Sequence, residues 1–165
     1  MSHQQKIYMT PGCAKRLRAE LKKLLYTDRP TLAKAARIAA EEGDRSENYE
    51  YQATKRAMRK MDGRIHFLTK RIESLEVVDP VKQGDIANGR VLFGATVTVE
   101  DDEGEEKIYS IVGIDEYDGG KGKVSWVSPI GKALLGRSEG DSVSFVTPGG
   151  VSELEIVKVE YTAID

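Results

Sequence analysis

The chain has 165 residues, 32% of them charged, and a formal net charge of −2. That length allows one domain or two small ones, and balanced charge argues neither for nor against a polyanionic partner. A single cysteine, Cys13, rules out an internal disulfide and suits a reducing cytoplasm, two histidines without a Cys/His cluster argue against structural zinc, and no apolar run resembles a signal peptide or a membrane span.

The first half carries a helical period. Leu17, Leu21 and Leu24 recur at spacings of four and three, and Thr10-Pro11 is a plausible start because proline is tolerated in a first helical turn. Pro30 interrupts the pattern, which predicts a kink, or a stop and restart with Pro30 in the new first turn. Leu32, Ala35, Ala36 and Ala39 continue the stripe to Glu42, and Gly43 is a natural terminator. Met58, Met61, Ile65, Leu68, Ile72 and Leu75 then step by three and four, a coiled-coil seam over a helix expected from Ser46 to Leu75. Two such helices with a short connection form an antiparallel hairpin. Gly63 lies inside the second helix, where close packing is the one reason the pattern offers for it.

After Leu75 the period changes. Asp79-Pro80 through Asn88-Gly89 reads as a linker. Period-two segments follow at 90–99, 107–113, 123–127, 142–147 and 151–161, with turns at Gly119-Gly120 and Pro148-Gly149-Gly150. Ser128-Pro129 starts a short helix from Ile130 to Leu135. The expectation is an α+β chain: a coiled-coil hairpin domain over residues 1–79, a linker over 80–89, and a mostly antiparallel β domain with a short helix over 90–165.

Charge is distributed unevenly along the hairpin. Residues 52–71 hold Lys55, Arg56, Arg59, Lys60, Arg64, Lys70 and Arg71 against one acid, Asp62. Lys55–Arg59, Arg56–Lys60 and Lys60–Arg64 are like-charge neighbours at i,i+4, each destabilising by roughly 0.2–0.5 kcal/mol in an isolated helix. Such a flank suits a nucleic-acid backbone, or is simply the solvated face of a coiled coil. The tip has the opposite sign, with Glu41, Glu42, Asp44, Glu47 and Glu50 against Arg45. Asp44 and Glu47 have the spacing of a helix-capping box. They also suit Mg²⁺, a hard ion held by one or two carboxylates with the remaining ligands coming from a partner; phosphodiester hydrolysis is the natural reaction of such a shared site.

The tip Gly43-Asp44-Arg45-Ser46-Glu47-Asn48 is similar to the Gly-Asp-x-x-Glu-Asn signature of the bacterial transcript cleavage factors, the Gre family. The resemblance covers almost the whole chain. It takes in Arg29-Pro30, Tyr51, Phe93-Gly94-Ala95, Ile111-Val112-Gly113, Ser128-Pro129 with Ala133-Leu134-Leu135, Glu139-Gly140-Asp141, Thr147-Pro148-Gly149-Gly150 and Val159-Glu160-Tyr161. Arg45-Ser46, Asp28-Arg29-Pro30 and the long basic stripe look more like the family's GreB branch than its GreA branch.

The resemblance implies an FKBP-like C-terminal domain that docks at the rim of the RNA polymerase secondary channel, and a hairpin that enters the channel. Asp44 and Glu47 would help hold the second catalytic Mg²⁺ jointly with polymerase. The polymerase's own centre then cuts the extruded 3′ end of a backtracked nascent RNA, so the chain stimulates a nuclease without being one. Lys55, Arg56, Arg59, Lys60 and Arg37 would contact that RNA, and Val127, Ser128 and Pro129 would dock on polymerase. The family usually has Asp or Asn before Ser-Pro; here Val127 stands there, preceded by Trp126, so a polar docking contact is lost or replaced by an apolar one. Trp126 also reads as sheet core. A cytoplasmic monomer without membrane contact is expected. Two other readings stay open: a regulator that occupies the channel without cleavage, against which the intact acids argue, and a chaperone or prolyl isomerase, for which three Phe and one Trp supply little of the aromatic pocket required.

Overall fold

A computed structural model of the chain describes residues 6–42 and 48–165. The chain divides into two compact units: Met1–Ala14 (described from Lys6) with Leu75–Asp165, and Lys15–Ser74.

The second of these units is the helical hairpin. Helix α1 (Pro11–Lys23) runs into a single π-helical turn at Leu24–Asp28, and α2 (Arg29–Glu41) follows without a break. Pro30 explains the π turn. It has no N–H to give the carbonyl four residues back, and an α-helix through this point would leave that acceptor unpaired. The wider turn lets the Arg29 N–H reach Leu24 O, while the Thr31 hydroxyl donates to Thr27 O at 2.7 Å. The expected kink or restart is thus a local widening of a continuous helix.

Helix α3 (Tyr49–Glu73) returns alongside. The side-chain links pair Ala39 with Asn48, Arg29 with Asp62 and Glu20 with Arg64, so numbers rise on one arm as they fall on the other, and the arms are antiparallel. The seam lies as its period predicts: Met58, Met61, Ile65 and Ile72 are half-buried and Leu68 is fully buried, facing an opposite stripe that includes buried Ala36 and Ala39. Ala35, expected in that stripe, is exposed. Gly63 is not explained by close packing, since a Cβ there would meet nothing within 4 Å.

The other unit is built on a five-stranded sheet in the order β5-β4-β3-β7-β6. Its strands are β3 (Thr96–Glu100), β4 (Glu106–Val112), β5 (Lys123–Ser125), β6 (Ser142–Thr147) and β7 (Gly150–Glu160). All neighbours are antiparallel except β4 and β5. Val97 and Val99 alternate with half-buried neighbours, and Leu154 and Ile156 with exposed ones. They form one core with Ile111, Val143 and Leu134 of the short helix α5 (Pro129–Leu134). Burying each such aliphatic side chain is worth about 1.5–3 kcal/mol. Of the stretch 90–95, expected to be strand, Arg90 alone makes a β-bridge, to Ser138; 91–95 is loop, with Val91 N–H donating to Arg137 O at 2.7 Å and Gly94, at φ +89, donating to Ile111 O at 2.8 Å.

Two features depart from the expected division. The segment 80–89 is no linker. Pro80–Ala87 forms helix α4, capped by Asp79, whose side chain accepts from Val81 N–H, and ended by Asn88 in the left-handed region at φ 53. It packs into the β unit: a Cβ on Gly84 would lie 2.9 Å from Tyr161 Cβ, and Gln83 Nε2 donates to Phe93 O at 3.2 Å. The N-terminal residues also belong to this unit rather than to the hairpin. Strand β1 (Ile7–Met9) pairs in parallel with β2 (Leu75–Val77), and Val78 N–H donates to Met9 O at 2.8 Å.

Candidate functional site: the hairpin end and its basic face

The hairpin end is held from both arms by Asn48. Its Oδ1 accepts the Tyr51 N–H at 3.1 Å, and its Nδ2 donates to Ala39 O across the hairpin. Asn48 is therefore the N-cap of α3, which is described from Tyr49. The sequence carries this signal, since Asn is as good a cap as Asp and stands one residue before the helix. Asp44 and Glu47 lie outside the described residues, as do Gly43, Arg45 and Ser46. Among the described residues, no group of three or more His, Cys, Asp and Glu could hold a metal ion.

From the cap, α3 presents Lys55, Arg56, Arg59 and Lys60, all exposed, and Arg37 is exposed on α2. Lys55 sits over the half-buried Tyr51 ring, 5.9 Å from its centroid. Arg64 leaves the stripe. Its guanidinium grips Glu20 with two bonds, of 2.7 and 3.0 Å, and its Cζ is 5.2 Å from the Phe67 ring. That hydrogen-bonded guanidinium holds the Glu20 carboxyl below its ordinary value. In the same way Arg29, bonded to Asp62 at 2.7 Å, lowers the Asp62 pKa and has its own raised. The acid inside the basic run thus serves the hairpin's alignment. Among the described residues Arg56, Arg59, Lys60 and Arg37 have no ion-pair partner, so the cations best able to meet phosphate are those near the tip.

Trp126, Val127, Ser128 and Pro129 form the corner between β5 and α5. The Trp126 ring is half-buried, packs on the core and meets the Tyr8 ring edge-on at 5.7 Å, as sheet core should. The Ser128 hydroxyl donates to Ser125 O at 2.6 Å and accepts the Gly131 N–H at 3.1 Å, so its first task is to cap α5. Val127 is 38% exposed and Pro129 occupies the first turn. The corner is fixed backbone with an apolar side chain at its surface. A groove of about 360 Å³ on the sheet is lined by Tyr109, Phe145 and Leu154 but rimmed by Asp101, Asp102, Glu103, Glu105 and Glu153. It holds two aromatics where the composition led us to expect no aromatic-lined pocket, yet its acidic rim ill suits an apolar proline substrate.

Two family models cover most of the chain. The family described as "Transcription elongation factor, N-terminal" matches residues 7–77, and "Transcription elongation factor, GreA/GreB, C-term" matches 86–161. The chain belongs to the GreA/GreB family of transcription elongation factors. It is 46% identical to transcription elongation factor GreB of Neisseria meningitidis serogroup B (strain ATCC BAA-335 / MC58) over all of both chains. It is 42% identical to transcription elongation factor GreA of Alkalilimnicola ehrlichii over 95% of this chain and 99% of that one. Within the family it is GreB-like. The crystal structure of the GreA factor homolog 1 protein of Thermus thermophilus aligns over 94% of this chain and 99% of its own, at 25% identity and a TM-score of 0.43.

Proposed function

We propose that this elongation factor works in the cytoplasm as a monomer on RNA polymerase, inserting its hairpin into the secondary channel and stimulating cleavage of backtracked nascent RNA. The observation that carries the proposal is the hairpin itself: antiparallel arms pinned by ion pairs, a side-chain clasp at Asn48, and a basic face on α3 that begins a few residues after Asp44 and Glu47 in sequence. Mg²⁺ fits the donor chemistry of Asp44 and Glu47, because two hard carboxylates suit an ion whose other ligands come from polymerase and phosphate. When bound, such an ion polarises water and stabilises a leaving oxygen. The chain's own contribution is to carry two acids in the segment between the arms and to place Lys55, Arg56, Arg59, Lys60 and Arg37 where RNA phosphates pass. The corner Val127-Ser128-Pro129 serves polymerase docking through its shape and the apolar Val127 surface. No membrane partner is invoked; among the described residues no helix is long and apolar enough to cross one.

The test is a stalled, backtracked elongation complex with end-labelled RNA and Mg²⁺. The factor alone should leave RNA intact, and the factor with polymerase should release short 3′ fragments. Asp44→Ala and Glu47→Ala should each slow release by about 10²–10³-fold, the usual cost of removing one charge-stabilising group, while binding persists. Unchanged cleavage in both variants would remove the metal role. Tight binding without release by the unmodified chain would make it a channel-occupying regulator.

A further inference from the structure

Tyr49 opens α3 with 88% of its surface exposed. A single exposed aromatic is unremarkable by itself; its neighbours on the helix give it meaning. Residues 49, 56 and 60 are seven and four apart, so they share one helix face, with Arg56 about 10 Å and Lys60 about 16 Å along the axis from Tyr49. All three are exposed, and this face is opposite the Met58–Ile65 seam. The other tyrosine of this turn, Tyr51, is half-buried and already lies beneath Lys55. Between Tyr49 and Arg56 the same face carries only Gln52 and Ala53, which gives an apolar protein partner little to bury. An open ring followed by two cations is the composition of a single-strand platform: a base stacks on the ring, and phosphates meet the charges.

We infer that Tyr49 stacks on a base of the extruded RNA 3′ segment while Arg56 and Lys60 meet its backbone. This rests on the RNA-contact reading above and adds to it a residue that reads the base face, where the basic stripe reads only charge. Stacking requires a flat ring and not a hydroxyl, so Tyr49→Phe should behave as the unmodified chain and Tyr49→Ala should not.

The experiment uses backtracked elongation complexes with the full-length factor, Y49F and Y49A. One set carries an abasic residue at successive positions of the extruded RNA, and another carries 4-thiouridine there. We expect Y49A to bind polymerase normally and to cleave about five-fold more slowly or worse, the lower bound of one lost base stack. At one abasic position the unmodified factor should fall to the rate of Y49A, and Y49A should fall no further. Equal rates for Y49A and the unmodified factor, or an equal loss at every abasic position, would overturn the inference. If the unmodified factor stimulates no cleavage, the proposed function fails and the photo-crosslink decides this point separately. A 4-thiouridine crosslink kept in Y49F and lost in Y49A supports stacking, and crosslinking indifferent to residue 49 refutes it.

Discussion

Glu116 brings one carboxylate to three donors. It is 6% exposed and accepts from Thr10 N–H at 3.1 Å, from the Thr10 hydroxyl, and from Gly113 N–H at 2.9 Å. It thereby ties the residues just after β1 to the turn that follows β4. Nothing in its local sequence marks it, because its partner is 106 positions away. Glu116→Ala leaves two buried N–H groups without an acceptor, at about 1–3 kcal/mol each. Denaturant unfolding should show a loss of about 2 kcal/mol or more, and an unmoved midpoint would refute the role. Gly113 beside it is irreplaceable for a different reason: a Cβ there would sit 2.2 Å from Tyr8 O. At the hairpin end the residue-scale lesson is Asn48. Its position in the tip motif is plain from sequence, but its reach across to Ala39 O is visible only once both arms are placed.

The elements that carry function are the hairpin arms, and two properties of α3 can be tested. Gly63 is exposed with open space at its Cβ position, so Gly63→Ala gains helix propensity without a clash. It should stabilise the chain by about 0.5–1 kcal/mol, read as a raised melting temperature; a lower one would mean the glycine serves a conformation that α3 does not show here. The second property is pH response. Arg64 holds the Glu20 carboxyl below its ordinary 4.5, and Arg29 holds Asp62 below its ordinary 3.8. Groups with lowered pKa stabilise the fold above their ordinary values and lose that contribution as pH falls through them. The hairpin should therefore soften as pH drops below about 4.5, by a small and salt-sensitive amount because both pairs are exposed. A thermal melt followed by helical circular dichroism should show this, and the double variant Glu20→Gln, Asp62→Asn should flatten it. An equally steep acid response in that variant would place the cause elsewhere.

At the scale of the whole molecule, the chain's order in sequence and its order in space differ. The β unit takes strand β1 and the start of α1 from the N-terminus, and α4 from the expected linker. A fragment beginning at Pro80 lacks both β1 and β2, the Thr10 donors to Glu116, and Tyr8, whose ring lies 6.1 Å from Phe93 and 5.7 Å from Trp126. It should unfold at distinctly lower denaturant than the β unit of the intact chain, and a peptide of residues 1–14 added in excess should raise its midpoint. Equal stability of the bare fragment would show that the N-terminal residues are passengers.

The helical arms, the seam from Met58 to Ile72, the strands 142–147 and 151–161 and the α5 start at Ser128-Pro129 were legible in sequence. Each follows from a local period or a capping pattern written in neighbouring residues. The family was legible too, because its motifs run almost the length of the chain. Only the tertiary structure decided that 80–87 is helix, that 91–95 is loop, that Arg64 and Asp62 serve the hairpin rather than a charged face, and that residues 6–14 complete the β unit. Those outcomes depend on partners tens of residues away, such as Tyr161 against Gly84 and Thr10 against Glu116, and no local period records a contact of that range.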